Sequence, residues 1–325
     1  MKFRPLGNTG LKLSEIGFGA WAIGGPVDLF GIPVGWDGVD DRESKATISR
    51  AYELGVNFFD TADVYGSGHS EILIGDCLEG KDCIIATKVG NARTSERAYK
   101  DFSEKHIRQA IEGSLKRLKR DIIDIYQLHN PPPAVWQGNE VFDLLNRLKT
   151  EGRIRFSGVS ISTMEEGIHL VENRKVDCLQ VLFNVFNQEP AKRLLPLAEK
   201  AGVGVIVRVP LASGLLTGKF NPDHQFSKGD NRSNYLSRGR LHEALQKTEK
   251  LKGWIRESGY TMTQVSLAFL LKFSSVTSPI PGAKNVTQVE QNVSSSDVTL
   301  DDALFDKIRE EFSEYNFFLR YGVKI

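Results

Sequence analysis

Short apolar segments that alternate with longer amphipathic ones constrain the fold of this 325-residue chain more than any other feature. Eight of these segments are rich in Val, Ile or Phe and are short, which is typical of buried parallel strands. In chain order they are EIGFGAW, VNFFD, CIIATKV, DIIDIYQLH, IRFSGVSI, CLQVLF, VGVIVRVP and SVTSPIPG. Eight strand–helix units without a break in composition predict an α/β fold, a (β/α)8 barrel that occupies residues 1–325 as one domain.

Helix signals lie between the apolar segments. Ser103 is a predicted N-cap before a helix whose last turn is rich in Lys and Arg. Thr163 and Glu166 are spaced as a capping box at the start of another helix. Pro196 lies within PAKRLLPLAEKAG, where it either kinks the helix or occupies its true first turn.

The remaining segments predict how the barrel is completed. A doubly wound sheet is the alternative fold, but GFGAWAIGG after the first strand lacks the GxGxxG spacing of that fold. MKFRPLGNTGLKLSE predicts an N-terminal β-hairpin that turns at GNTG and closes the bottom of the barrel. Residues 219–240 are polar and form the longest predicted loop, and residues 300–325 predict a C-terminal helix with a tail.

Composition excludes several classes of function. The formal net charge of +1 gives no electrostatic reason to expect nucleic acid or an anionic membrane as a partner. The chain has no apolar run of about eighteen residues, and its N-terminus lacks the apolar core of a secretory signal. Three cysteines without a CxxC spacing are typical of a reduced protein, so we expect a cytoplasmic location and buried, unpaired thiols.

Four polar residues lie where barrel enzymes place their active sites, at the carboxyl ends of the strands. Asp60 ends the second predicted strand, and Tyr65 lies in the glycine-rich loop beyond it. Lys88 ends the third strand and His129 the fourth. Each residue alone has an ordinary explanation, as a turn residue, a lysine at a strand end or a core histidine. Their occurrence together on successive strands predicts a catalytic site.

The segments around these residues resemble the aldo-keto reductase family. NFFDTADVYGSGHSE resembles the family's signature around its catalytic Asp and Tyr, ATKVG its lysine segment and IYQLHNP its histidine segment. RIRFSGVSIS, LQVLFNVFN, VPLASGLLTGK and IPGAKNVTQVEQN are similar to its later cofactor segments, in the same order, so the resemblance covers nearly the whole chain. It implies hydride transfer from NADPH to a small aldehyde or ketone substrate.

The residue types support carbonyl reduction independently. The developing alkoxide needs a proton, which Tyr65 can supply, although a free phenol has a pKa of about 10. A lysine ammonium about 4 Å away would favour the phenolate by roughly 4 kcal/mol before desolvation opposes it, which predicts a Tyr65 pKa near neutrality. Asp60 is expected to keep Lys88 charged and oriented, and His129 to donate to the carbonyl oxygen.

The resemblance also implies a set of cofactor-binding residues. Ser160 and Gln180 match the positions that hold the nicotinamide carboxamide, but Ile161 stands where the family often has Asn. The residues that match the loop over the pyrophosphate are Pro210, Leu211, Ser213 and Leu215, and those that match the adenosine and 2′-phosphate end are Gly282, Ala283, Lys284, Gln288, Gln291 and Asn292. A helix N-terminus after glycine is itself suited to phosphate. Lys219 is a further expected phosphate contact, and Lys284 is either a solvated surface lysine or the cation that favours NADPH over NADH.

Arg208 is the largest departure from the family pattern. Many aldo-keto reductases carry an aromatic residue at this point of the seventh strand, where it stacks on the nicotinamide. The arginine either turns out of the barrel toward a helix carboxylate or covers the ring with its planar guanidinium. We predict that it faces the cofactor.

Three aromatic residues, Trp21, Phe30 and Trp36, are predicted to line a partly apolar substrate pocket. Phe317 and Phe318 either fold over its mouth or pack in the tail. Only one of the six histidines ends a predicted strand, so a metal-dependent hydrolase is disfavoured and no metal site is expected.

The alternative function is a non-enzymatic NADPH-binding regulatory module, as in the potassium-channel β-subunits of the same family. All four catalytic residue types and the short segment before the barrel favour an enzyme. The sequence does not indicate the oligomeric state or the physiological substrate.

Overall fold

The computed structural model describes residues 1–29, 32–94, 97–256 and 258–317. Eight parallel strands form one sheet in which spatial order follows chain order. We number them β1 (Phe18–Gly19), β2 (Phe58–Asp60), β3 (Ile84–Val89), β4 (Ile123–His129), β5 (Ile154–Ser160), β6 (Cys178–Leu182), β7 (Gly204–Arg208) and β8 (Ser278–Pro279). Each of the eight predicted segments contains one of these strands.

The sheet closes on itself where β1 meets the end of β8. The amide of Gly19 donates to the carbonyl oxygen of Pro281 at 3.1 Å, and Gly19 forms a parallel bridge with Gly282. A Cβ atom on Gly19 would lie 2.5 Å from the carbonyl oxygen of Ile280, so only glycine permits this approach. The predicted (β/α)8 barrel is therefore confirmed, and the doubly wound sheet is excluded.

Helices surround the sheet. They are α1 (Asp41–Glu53), α2 (His69–Leu78), α3 (Glu104–Leu118), α4 (Pro133–Gln137), α5 (Glu140–Thr150), α6 (Met164–Glu172), α7 (Leu194–Ala201), α8 (Arg232–Tyr235), α9 (Arg238–Ile255), α10 (Met262–Leu271), α11 (Val286–Val293) and α12 (Asp302–Phe312). Within the described residues, none of them is both long and apolar enough to cross a bilayer.

The predicted helix starts are largely confirmed. The Ser103 hydroxyl accepts the amide of His106 at 3.3 Å, as expected of an N-cap. Thr163 accepts the amide of Glu166 at 3.2 Å, but the Glu166 carboxylate returns to the amide of Ser162 at 2.8 Å, one residue earlier than a capping box requires. Pro196 lies in the first turn of α7 and does not kink it, because the amides of that turn have no intrahelical acceptor.

The N-terminal hairpin closes the bottom of the barrel, as predicted. Its strands, Phe3–Pro5 and Lys12–Ser14, pair antiparallel across the GNTG turn. Behind them lies an apolar cluster inside the barrel, made of Leu6, Leu11, Leu13, Phe58, Ala86, Ile125, Cys178, Ile206 and Ile280. A second, larger cluster fills the layer between the strands and the helices. The barrel interior is thus sealed at one end, and its opposite end is left for polar side chains.

Residues 219–240 contain regular secondary structure, which the predicted loop did not include: α8 and the start of α9 lie in this range. The segment is anchored by a buried ion pair, in which Arg232 lies 2.5 Å from Asp230. The guanidinium also stacks on Trp36 and Phe226, at 4.3 and 4.9 Å from the ring centroids. The contact with Trp36 joins the segment to a distant part of the chain, which local composition does not reveal.

The C-terminal helix is confirmed as α12. Phe317 beyond it is fully buried in the large core, and its amide donates to the carbonyl oxygen of Phe186 at 3.4 Å. Phe317 therefore packs as a core residue, whereas Phe318 lies outside the described residues. Cys83 and Cys178 are buried, Cys77 is half-buried, and none of the three forms a disulfide.

Candidate active site

The four predicted catalytic residues meet at the open end of the barrel. Asp60, Lys88 and His129 stand at or near the carboxyl ends of β2, β3 and β4, which are adjacent in the sheet. Tyr65 begins a short 3-10 turn, Tyr65–Gly68, directly after the β2 loop. Because adjacent parallel strands end at the same edge, the spacing in the sequence becomes a cluster in space.

Glycine at position 66 lets the Tyr65 turn approach the neighbouring loop. Gly66 has a φ of 59°, and a Cβ atom there would lie 2.0 Å from the carbonyl oxygen of Gly24. A larger residue at position 66 would push the turn away from this loop. Gly66 is therefore needed to place the phenol of Tyr65.

Lys88 is the centre of the cluster and is fully buried. Its Nζ atom lies 2.5 Å from Oδ1 of Asp60, 2.8 Å from the carbonyl oxygen of Thr61 and 3.1 Å from the hydroxyl of Tyr65. These three acceptors match the three protons of an ammonium group. Burial opposes the charge, but Asp60 and Tyr65 together raise the pKa of Lys88 above its ordinary value, so the ammonium persists.

Tyr65 does not have the near-neutral pKa that the sequence argument predicts. Desolvation raises the pKa of its phenol and outweighs the opposing effect of Lys88, while Asp60 raises it further. A near-neutral pKa would require the lysine charge to act alone. In the folded protein the phenol also loses its water, and Asp60 shares the ammonium. Tyr65 consequently stays protonated at neutral pH, and its proton is available for donation.

His129 lies beside the phenol as a neutral ring. The ring centroids of Tyr65 and His129 are 5.9 Å apart, and the amide nitrogen of Asn91 lies 3.0 Å from Nδ1 of His129. Burial, followed by the charges of Lys88, Lys100 and Arg208, holds the pKa of His129 well below its usual range. An amide nitrogen can only donate, so Nδ1 accepts and the proton of the neutral ring lies on Nε2.

A hairpin that sequence analysis missed holds His129 through both Asn91 and Lys100. Its strands, Asn91–Arg93 and Ala98–Lys100, follow β3. The ammonium of Lys100 donates to the backbone oxygen of His129 at 2.7 Å. Desolvation lowers the pKa of Lys100 to about 8. The strands have only three residues each, too few for a periodicity signal in the sequence.

Two glutamine amides hold the second oxygen of Asp60. Nε2 of Gln180 lies 2.7 Å from Oδ2, and Nε2 of Gln127 lies 3.0 Å from the same atom. Gln180 is a predicted cofactor residue, and its own Oε1 lies 3.4 Å from the hydroxyl of Ser160. Sequence analysis missed Gln127, although a polar residue two places before His129 lies on the same face of the strand and faces the barrel interior.

Arg208 stays at the open end of the barrel. Its Nη2 atom donates to the carbonyl oxygen of Ile161 at 3.2 Å, and its Nε atom is buried without a partner. Desolvation lowers the pKa of Arg208 to about 10, and Tyr65 and Glu166 oppose that shift. Among the described residues no carboxylate lies within ion-pair distance of the guanidinium, so the arrangement in which it pairs with a helix carboxylate is not observed.

Three cations, Arg232, Lys219 and Lys284, lie close together near the predicted cofactor residues. Arg232 is neutralised by Asp230, whereas Lys219 and Lys284 have no carboxylate within ion-pair distance in the described part of the chain. Lys284 contacts the backbone oxygen of Asp37, and its Nζ lies 5.8 Å from the ring centroid of Trp36. Desolvation, with repulsion by Arg232 and Lys284, lowers the pKa of Lys219 to about 8. The excess of positive charge suits an anionic group.

The predicted pyrophosphate loop lies beside these cations. Ser213 has a φ of 58°, its hydroxyl accepts from Tyr235 at 3.0 Å and its carbonyl oxygen accepts from Arg232 at 3.4 Å. Pro210, Leu211 and Leu215 are buried residues of the same loop.

The predicted phosphate site at the start of α11 is partly occupied by the protein's own side chains. Asn285 caps the helix by accepting the amide of Gln288 at 3.0 Å, and the Gln288 side chain accepts the amide of Lys284 at 2.9 Å. Asn292 donates to the carbonyl oxygen of Gly282 at 3.4 Å. The remaining two predicted residues of this end are the buried Ala283 and the half-buried Gln291. An anion here would therefore rely more on the Lys284 ammonium than on free helix amides.

The predicted pocket aromatics separate in the structure. Trp21 lies edge-on to Tyr65 with ring centroids 4.8 Å apart, so it is placed to contact a substrate. Trp36 instead stacks on Arg232 and groups with the predicted cofactor residues. Phe30 lies outside the described residues. In the part of the chain that the structure describes, no group of His, Cys, Asp and Glu side chains is arranged to hold a metal ion.

Comparison with known proteins agrees with this geometry. The family model described as Aldo/keto reductase family matches residues 15–311. The chain is 32% identical to the NADH-specific methylglyoxal reductase of Escherichia coli over 95% of this chain and 98% of that protein. It is 30% identical to a probable voltage-gated potassium channel subunit beta of Oryza sativa, over 92% of each chain.

Solved structures show the same fold. The glycerol dehydrogenase of Gluconobacter oxydans superposes with a TM-score of 0.82 and 28% sequence identity, over 99% of this chain and 97% of that one. The range that the family model matches, residues 15–311, spans all eight barrel strands. The chain therefore belongs to the aldo/keto reductase family of nicotinamide-dependent oxidoreductases.

Proposed function

We propose that the protein reduces small aldehydes or ketones to alcohols with NADPH, and that Tyr65 is the general acid. The main support is the distance of 3.1 Å between the Tyr65 hydroxyl and the Lys88 ammonium. The ammonium is itself 2.5 Å from Asp60. A protonated phenol beside a fixed cation is suited to protonate a developing alkoxide.

The residues at the open end of the barrel fit a nicotinamide dinucleotide. Among the described residues, Lys219 and Lys284 have no carboxylate partner, which leaves their charges available for phosphate groups, and the buried Nε of Arg208 has no acceptor. Ser160 and Gln180 supply hydroxyl and amide groups at the strand ends beside Asp60. When bound, the cofactor would supply the hydride for the carbonyl carbon.

The protein's own residues would supply the proton and stabilise the negative charge that its transfer leaves behind. Tyr65 gives its hydroxyl proton to the carbonyl oxygen, while Lys88 offsets the negative charge left on the phenolate. Asp60 keeps the ammonium oriented but does not contact the substrate. The Nε2–H of the neutral His129 donates to the same carbonyl oxygen, which fixes its approach.

Removal of the Tyr65 hydroxyl tests the proposal. The Tyr65→Phe variant should lose about a hundredfold to ten-thousandfold in kcat for para-nitrobenzaldehyde, because the reaction loses its proton donor. Loss of NADPH absorbance measures turnover, and fluorescence titration should show unchanged cofactor affinity. Near wild-type turnover by this variant would contradict the assignment of Tyr65.

The choice of NADPH over NADH rests on the cation cluster and is open to direct test. The Escherichia coli relative is named for NADH, so we would titrate both cofactors against the wild type and Lys284→Glu. The acidic variant should lose NADPH affinity by about tenfold to a hundredfold and NADH affinity much less. Lys105→Glu, an exposed change on α3, is the control. Equal affinity of the wild type for both cofactors would contradict the proposal.

A regulatory module is the second candidate, because the Oryza sativa relative is named as a potassium channel subunit. A wild-type protein that binds NADPH but turns over no member of a panel of aldehydes, ketones and sugars would favour that function. Turnover of any member favours the enzyme and identifies its substrate class.

A further inference from the structure

We propose that Gln127 is a positioning residue for the proton transfer assigned to Tyr65, and this inference rests on the proposed function. Its amide nitrogen lies 3.0 Å from Oδ2 of Asp60, whose Oδ1 lies 2.5 Å from the Lys88 ammonium. Gln127 therefore fixes the plane of the carboxylate that holds the ammonium beside the phenol. It acts through Asp60 and Lys88 and does not touch the substrate.

The stability of the core does not explain an amide at this position. The Gln127 side chain is fully buried, on the same inward face of β4 as Ile125 of the barrel cluster. Its Oε1 atom has no hydrogen-bond partner among the residues that the structure describes. An unsatisfied buried acceptor destabilises a folded protein, and an apolar side chain of similar volume would avoid that cost. The hydrogen bond to Asp60 is therefore what an amide provides at this position.

Loss of the amide should change how strongly Lys88 interacts with each of its two neighbours, Asp60 and Tyr65. Asp60 raises the pKa of Tyr65 and Lys88 lowers it. An amide donor on Oδ2 disperses the negative charge of the carboxylate. Without that donor, Asp60 attracts the ammonium more strongly and less of its field reaches the phenol, so the pKa of Tyr65 rises further.

The other charged or titratable groups around the phenol are His129 and Arg208. Neither residue is hydrogen-bonded to Gln127 within the described part of the chain, and the substitution leaves both in place. A shift in the titration of the phenol would therefore report the Asp60–Lys88 pair.

Gln180 provides an internal contrast. Its amide nitrogen lies 2.7 Å from the same Oδ2, but its Oε1 is 3.4 Å from the hydroxyl of Ser160, which belongs to the predicted carboxamide site. Removal of the Gln180 amide should weaken cofactor binding as well as turnover. Removal of the Gln127 amide should affect turnover alone.

The decisive variant is Gln127→Met, which keeps the volume and removes the donor. We expect kcat for reduction of para-nitrobenzaldehyde to fall by about tenfold to a hundredfold, because the ammonium is less well placed. Cofactor affinity should stay within about twofold, and the thermal midpoint should equal or exceed that of the wild type. The rate of para-nitrobenzyl alcohol oxidation should reach half its maximum at a higher pH than in the wild type.

Two further variants sharpen the test. Ile125→Val removes one methyl group from the same strand and face, so it should leave kcat and the pH profile unchanged. Gln127→Glu keeps the size but sets a second carboxyl group against Asp60, so its loss of turnover should exceed that of Gln127→Met.

The outcomes separate this inference from the proposed function. If Gln127→Met matches the wild type in kcat and pH profile while Tyr65→Phe is inactive, the role of Gln127 is wrong and the general acid stands. If Gln127→Met fails to fold, the amide stabilises the core and the inference is likewise overturned. If Tyr65→Phe remains active, the proposed function itself fails.

Discussion

The two ends of the barrel interior are built from the same strands but by opposite chemistry. The bottom contains nine apolar side chains, sealed by the N-terminal hairpin. The top contains a buried ion pair, Lys88 with Asp60, together with two glutamine amides. Buried charge is weak support for stability, because desolvation offsets much of the attraction within the pair. The bottom of the barrel must therefore supply the stability that the top requires for its chemistry.

Among the described residues that face the barrel interior, the unsatisfied polar atoms lie at the top. Gln127 Oε1 and Arg208 Nε are buried without partners, and both belong to the top of the barrel. Strain and unmet hydrogen bonds are tolerated where a ligand or a reaction uses them. The contrast predicts that substitutions at the top change activity first, whereas substitutions at the bottom change only stability.

The largest effect is expected from Lys88→Met. Loss of the ammonium leaves Asp60 buried without its cation, which should cost about 3–5 kcal/mol of unfolding free energy. Lys88 lowers the pKa of Tyr65, so its removal raises that pKa further and removes the charge that offsets the phenolate. We expect kcat to fall by about a thousandfold or more.

Urea unfolding and steady-state kinetics of Lys88→Met measure these two losses separately. An unchanged dependence of alcohol oxidation on pH would remove Lys88 from the mechanism. A large loss of stability with normal turnover would show that the ion pair is structural only.

At the bottom, Leu13→Ala should destabilise the protein without altering the site. Leu13 is fully buried in the hairpin plug, and truncation leaves a cavity worth about 2–5 kcal/mol. The exposed neighbour Lys12→Ala is the control. Urea unfolding should show the loss, while kcat at a temperature where both proteins are folded should be unchanged. A parallel fall in kcat would contradict the division between the two ends.

The sequence predicted the apolar end of this contrast better than the polar end. The eight strands and the hairpin plug follow from local patterns, because a buried strand must be apolar whatever surrounds it. The positions of Asp60, Lys88 and His129 followed from strand ends, and that of Tyr65 from the loop beyond the second strand. Their electrostatics did not, because the pKa of Tyr65 depends on how much water its neighbours exclude.

Contacts between distant segments account for the other differences. Trp36 was predicted to line the substrate pocket, but it stacks on Arg232, almost two hundred residues away in the chain. Gln127 donates to a carboxylate on another strand, and Asn91 orients His129 from a hairpin of three-residue strands. Such pairings depend on the closure of the barrel, which periodicity within one segment does not encode.

Lys219 offers a smaller, pH-dependent test of the proposed phosphate site. Its pKa is lowered to about 8, and only the protonated form attracts a phosphate. NADPH affinity should therefore be constant below pH 8 and weaken by up to about tenfold above it. Lys219→Arg keeps its charge at every relevant pH, so it should abolish the dependence in fluorescence titrations. The same pH dependence in both proteins would exclude Lys219 from the site.

The smallest expected effect concerns Arg208, at the top of the barrel. Its guanidinium has one backbone acceptor and no carboxylate within ion-pair distance among the described residues, so its charge is poorly offset. If it covers the nicotinamide, it should disfavour the cationic oxidised ring relative to the neutral reduced ring. Apposition in a partly screened site is worth on the order of 1–2 kcal/mol, or roughly tenfold in the ratio of affinities.

Arg208→Tyr should accordingly tighten NADP+ binding much more than NADPH binding. Slower release of NADP+ would then lower steady-state turnover, because product release limits many enzymes. Fluorescence titration of both cofactors against both proteins measures the ratio directly, and a pre-steady-state burst in the variant would report slow release. An equal shift in the two affinities would mean that the charge of Arg208 does not act on the ring. In that case the unpaired guanidinium would be a feature of the barrel top that hydride exchange does not use.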